Sequence, residues 1–93
     1  MSLEPMSNEV IREPGGFVFF MRIQETTQTV RVFVADDALD GDDDQVDANR
    51  LRFRFDADRM ALEEVAREKY NHGRVTADGM VVIALSDILG FFG

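Results

Sequence analysis

The sequence predicts a small α+β domain, in which a small antiparallel sheet (a hairpin plus a C-terminal strand) packs against one long helix. Three observations predict it. Residues 17–23 and 29–35 are apolar stretches that alternate with a period of two across a short polar connection. Asp47 to Gly73 carries apolar residues at helical steps. Met80 to Leu85 is a third apolar run, and it follows the turn signal Asp78-Gly79.

Residues 1–16 read as a flexible N-terminal segment. Pro5, Pro14, Gly15 and Gly16 punctuate it, and only Val10 and Ile11 offer apolar surface. Met6 is an alternative native start, with Met1 to Pro5 as a cloning remnant. A single α+β domain is expected over residues 17–93.

Phe17 to Ile23 forms the first expected strand. Phe17, Phe19, Met21 and Ile23 share one face, and Val18, Phe20 and Arg22 share the other. Apolar residues on both faces predict that one end of this strand is covered twice. Glu25 to Gln28 is a connection of hairpin length. Thr29 to Ala35 returns with Val30, Val32 and Val34 on the core face and Arg31 and Phe33 opposite. Asp36 to Leu39 reads as one helical turn with Leu39 as its anchor, and Asp40 to Asp47 as an acidic connector.

In the long helix Leu51, Phe55, Leu62, Val65, Ala66, Lys69 and Tyr70 make one stripe. Asp47 is its candidate N-cap and Asn71-His72-Gly73 its stop signal. Asp58 and Arg59 interrupt the stripe, which predicts a bend there or burial of the Arg59 stem. Leu51 to Phe55 has a second reading. Its apolar–basic alternation also suits a strand, with Asp56 or Asp58 capping a shorter helix. Met80 to Leu85 is apolar on both faces and reads as a central strand. Ser86 or Asp87 is placed to cap a last short turn before the apolar tail.

Composition narrows the function classes. The chain has 93 residues, eight Phe, a 45% hydrophobic content and a net charge of −8. A chain of this size buries about two thirds of its unfolded surface, enough for one small core. With no cysteine, a disulfide framework, a thiolate zinc site and a Cys nucleophile are all excluded. No apolar run reaches the ~20 residues of a helical membrane span, and the N-terminus lacks a secretion-signal layout. A cytoplasmic protein is the expectation. Nucleic acid and membrane are not expected partners, because an acidic surface repels phosphates and anionic headgroups.

Four groups of residues are site candidates. Asp36, Asp40, Asp44 and Asp47 fall at positions one, five, nine and twelve of a calcium-loop frame, with Gly41 sixth. Ala38 at position three, Asp43 at eight and Asp rather than Glu at twelve break the frame, so a solvated connector is the competing reading. Arg50, Arg52, Arg54 and Arg59 interleave with Phe53 and Phe55 like a small nucleic-acid surface, against charge pairing with neighbouring acids. His72 is the single histidine and reads as a helix C-terminal residue favoured by the macrodipole. Ile88, Leu89, Phe91 and Phe92 either close the core or meet a partner.

The order of these features is also that of a known family. A hairpin is followed by Ala38-Leu39, then Phe55, Arg59, Leu62, Ala66 and Lys69 at helical spacing. Gly73-Arg74, Asp78-Gly79, Val81-Val82-Ile83 and Ser86-Asp87 complete it. Over roughly Phe17 to Asp87 the chain resembles a short proteobacterial family known as domain of unknown function 1488. The resemblance implies a compact bacterial protein with Phe55, Arg59 and Leu62 on one helix, and it carries over no catalytic residues. The Asp40–Asp47 run and the Phe91-Phe92 tail depart from the pattern.

The leading expectation is therefore a small, acidic, cytoplasmic bacterial protein that acts as a non-enzymatic interaction or regulatory module, through a protein partner or self-association. No cofactor is expected. Divalent-cation (calcium) binding by the loop 36–47 is the alternative, and a small carboxylate/His enzyme is a third.

Overall fold

The computed structural model describes residues 3–40 and 48–92. The chain runs β1 (Leu3–Glu13), β2 (Gly16–Ile23), β3 (Thr29–Ala35), α1 (Asp36–Asp40), α2 (Ala48–Ala57), α3 (Arg59–Asn71), β4 (Val81–Ile83) and α4 (Leu85–Phe92). The four strands form one sheet in the order β1-β2-β3-β4. The fold class is α+β, as the patterning predicts.

The hairpin of β2 and β3 is antiparallel, with Phe17 opposite Val34, Phe19 opposite Val32 and Met21 opposite Val30. These residues share one face of the sheet with Leu3, Ile23, Val81 and Ile83, and all are buried. The helices cover this face. Leu39, Leu51, Phe55, Leu62, Val65 and Ala66 complete the core. Phe55 is its centre: its ring lies 5.6 Å from those of both Phe17 and Phe19, edge-on to the latter.

Three expectations need correction. The first concerns residues 1–16, expected to be flexible. Leu3 to Glu13 pairs along β2 as an edge strand, and Leu3 is fully buried. A register shift between Pro5 and Val10 bends the strand, and an edge position tolerates Pro5 because its missing N–H faces outward. From the far side of the core, Arg67 Nε donates to the Leu3 carbonyl at 3.0 Å.

The second concerns the run at Met80 to Leu85. It is not a central strand of an antiparallel sheet. Only Val81 to Ile83 extends, at the sheet edge and parallel to β3. A helical crossover of this length returns the chain in the same direction as the strand it left, so parallel pairing follows from the connection.

The third concerns the long helix, which is broken for one residue at Asp58 (φ −97°, ψ 7°). The Asp58 N–H still donates to Arg54 O at 3.0 Å, and Asp58 O still accepts from Leu62 N at 2.9 Å. Leu51 to Phe55 is helical: Leu51 and Phe55 face the core, while Phe53 points outward and is 76% exposed. The candidate cap Asp47 lies outside the described residues.

The remaining punctuation follows the sequence. Gly73 and Gly79 take positive φ at the helix stop and at the turn before β4. Asp87 caps α4 from its first turn, where its Oδ2 accepts the Ala84 N–H at 2.9 Å.

Candidate interaction surface

Side chains alternate across a strand, so each strand that packs Phe19 or Val32 inward must show its intervening residues on the opposite face. The register makes those residues a row. Ile11 pairs with Val18, Val18 with Phe33, and Phe33 with Val82. One line of apolar side chains thus crosses all four strands. Phe20 sits one step along β2, opposite Arg31. The main core cluster takes from the strands only residues of the other face, and Val18 is not part of it. Among the described residues no helix covers this open face.

The row is held down from within the sheet. Val18 is 2% exposed, and in the register Ile11 and Phe33 flank it. Gly16 makes room for this. A Cβ there would meet the Phe33 ring at 2.5 and 2.8 Å and the Val34 carbonyl closer still. Phe33 and Val82 stay half-buried, and Ile11 is 41% exposed.

Besides Glu13, opposite Gly16, the charge on this face falls in two local pairs. Arg22 Nε donates to Glu4 at 2.7 Å, and Arg31 lies 4.0 Å from Asp78. A hydrogen bond from the Thr76 hydroxyl, with a smaller effect of Arg31, holds the Asp78 carboxyl below the usual carboxylate range. Between Phe20, Arg31, Asp78 and Met80 lies a shallow hollow of about 310 Å³.

A second hollow, of about 450 Å³, lies on the helical side between α3 and α4, lined by Lys69, Arg74 and Asp87. Lys69 Nζ donates to the Val82 carbonyl at 2.7 Å and to Asp87 Oδ1 at 2.9 Å. Burial alone would raise the Asp87 carboxyl. The Ala84 N–H, the Lys69 ammonium and Arg74 outweigh it and hold the group below its ordinary value. Both polar ends of this clasp are engaged in tying α3, α4 and β4 together, so it reads as a structural joint.

The residues singled out from sequence are placed as follows. Asp36 is engaged by Arg12, which donates to both carboxylate oxygens at 2.6 and 3.1 Å. The Asp40 side chain, together with Asp44 and Asp47, lies outside the described residues. Among the described residues no cluster of three metal-ligating side chains forms. Ile88 packs on the core, whereas Leu89 is 63% exposed. The side chains of Phe91 and Phe92 lie outside the described residues.

Arg52, Arg54 and Arg59 each pair with an acid four residues on: Asp56, Asp58 and Glu63. The Arg59 guanidinium also lies over the rings of Phe19 and Phe55, 4.4 and 5.5 Å from their centroids. His72 Nδ1 lies 2.9 Å from Glu68 O, is exposed, and lines neither hollow. Tyr70 packs at the core edge.

The open face is the feature that the sequence reading did not assemble. Its signal was present in the apolar residues on the second face of each strand: Val18 and Phe20, Phe33, and Val82. No helix among the described residues is long and apolar enough to cross a membrane. Compared with family models, curated proteins and solved structures, the chain finds no match.

Proposed function

We propose that this chain is a small cytoplasmic bacterial interaction module, non-enzymatic, which presents the open face of its sheet to a protein. The observation that carries the reading is the unbroken apolar row Ile11–Val18–Phe33–Val82, with Phe20 beside it and no helix above it among the described residues. Exposed apolar surface that is contiguous and rimmed by polar groups marks docking sites, whereas scattered single residues do not. The pairs Glu4–Arg22 and Arg31–Asp78 supply such a rim. A net charge of −8 and arginines held by neighbouring carboxylates favour a protein partner over a nucleic acid. The bacterial assignment rests on the resemblance to the domain of unknown function 1488 family, which the order of residues from Phe17 to Asp87 supports.

Affinity capture from the native host tests this reading. A partner should be retained by the unaltered chain and by Met60→Gln, and lost with Ile11→Glu. The same partner, purified, should then bind the unaltered chain directly. Equal retention by Ile11→Glu would overturn the assignment of the open face.

A further inference from the structure

We infer that the open face is occupied by a second copy of this chain, in a face-to-face dimer that dissociates on dilution. The inference rests on the reading of the open face as an interaction surface and names its occupant.

Three features of that face point to self-association. The first is charge. At −8, two copies repel one another over most approaches. Asp36, Asp37, Asp56, Asp58, Glu64 and Glu68 belong to the helical layer, on the far side of the sheet. On the open face Glu4 is matched by Arg22 and Asp78 by Arg31, and Glu13 also lies on it at the end of β1. Two copies that meet there hold their helical carboxylates outermost, separated by two sheets whose spacing is about 10 Å.

The second is shape. With a two-fold axis parallel to the strands through the middle of the row, Phe33 of each copy lies over the floor that the other's buried Val18 makes, and Ile11 meets Val82. Small faces large, and the contact repeats itself across the axis, as a closed dimer requires. Phe20 then meets the other copy's Arg31, a guanidinium on an aromatic ring.

The third is area. Three strands of about seven residues and a three-residue β4, at ~3.4 Å per residue and ~4.8 Å spacing, give a face of roughly 400 Å², or roughly 800 Å² over both copies. That lies at the low end of specific interfaces, in the range of weak and transient pairs. The dimer should therefore form over roughly 10–300 µM and be lost below it.

Sedimentation equilibrium of the full chain from 5 to 500 µM, about that range, is the test, with Nile red fluorescence and circular dichroism measured on the same samples. The unaltered chain should approach twice its monomer mass. Ile11→Glu and Val82→Glu, at opposite ends of the row, should stay monomeric with unchanged dichroism. A monomer throughout, with Nile red emission from the unaltered chain and not from the variants, overturns the second copy and leaves the interaction surface standing. A monomer with no dye response overturns both. A dimer that survives both variants and is abolished by Leu89→Glu overturns the face and transfers the interface to α4.

Discussion

The two faces of the sheet are made by the same strands from the same kinds of residue, and they differ in what lies on top. On the inner face Phe17, Phe19, Val32 and Val34 meet Phe55, Leu62 and Val65, and contact with water is lost. On the outer face Ile11, Val18, Phe33 and Val82 are neighbours across the strands, and among the described residues no helix lies over them. Burial of a large apolar side chain contributes about 1.5–3 kcal/mol when complete, so the inner face holds the fold together. The outer face keeps part of that free energy unrealised, and a partner would realise it on contact. The face on which an apolar strand residue falls, not its own identity, decides whether the helical layer covers it.

The sharpest way to break the comparison is to damage the inner face alone. Phe55→Ala removes the ring that meets both Phe17 and Phe19, and should cost about 3–5 kcal/mol in urea denaturation. A loss near 1 kcal/mol would mean that the helical layer is not the main support.

Gly16→Ala should act next most strongly, and it acts on the outer face. Its Cβ collides with the Phe33 ring and the Val34 backbone, so both must shift, at a cost of about 1–3 kcal/mol. Thermal unfolding reads the cost, and the NMR shifts of the Phe33 ring read the displacement. A neutral substitution with an unmoved ring would show that Phe33 does not lie over Gly16.

Parts of both faces were legible in the sequence because their causes are local. The β2–β3 hairpin follows from alternation within seven-residue runs, and the stop at Gly73 and the turn at Gly79 follow from residues that accept positive φ. The helix at Leu51 to Phe55 was ambiguous. Alternation puts Phe53 with its neighbours, and only the outward placement of Phe53 in the fold separates the two readings. β1 was not legible, since what buries Leu3 is Ile23 and Arg67, contacts distant in sequence. The run at Met80 to Leu85 looked central because Val82 is apolar like Val81 and Ile83. Val82 belongs to the open row, so two-sided apolarity here reports an outward apolar face on an edge strand.

The joint between α3, α4 and β4 offers a smaller and pH-dependent test. Asp87→Asn weakens the contacts to Lys69 and Ala84 and should cost about 1–2 kcal/mol at neutral pH. The sign with pH follows from the direction of the shift. Asp87 has a lowered value in the fold, so its contribution is complete above the ordinary carboxyl value of about 3.9 and is lost as pH falls through the folded value below it. The difference in melting temperature between the two proteins should hold from pH 7 to 5 and shrink below about pH 4. A difference that grows in acid would mean that Asp87 is not held ionised by Lys69.

The smallest effect is expected where apolar exposure has no row behind it. Phe53 and Met60 are 76% and 81% exposed on the outer surface of α2 and α3, more than any residue of the open face. If exposure alone made a docking site, these two would be it. Each stands among charged neighbours: Arg52 and Arg54 flank Phe53, and Arg59 precedes Met60. An isolated apolar side chain in that setting excludes little water from any partner, whereas a row four strands wide excludes it along its whole length. Phe53→Ser and Met60→Gln should therefore each change stability by less than about 0.5 kcal/mol and leave the sedimentation mass unaltered. A loss of association in either variant, with the melting temperature unchanged, would shift the interface from the sheet to the helices and remove the distinction between contiguous and scattered exposure in this molecule.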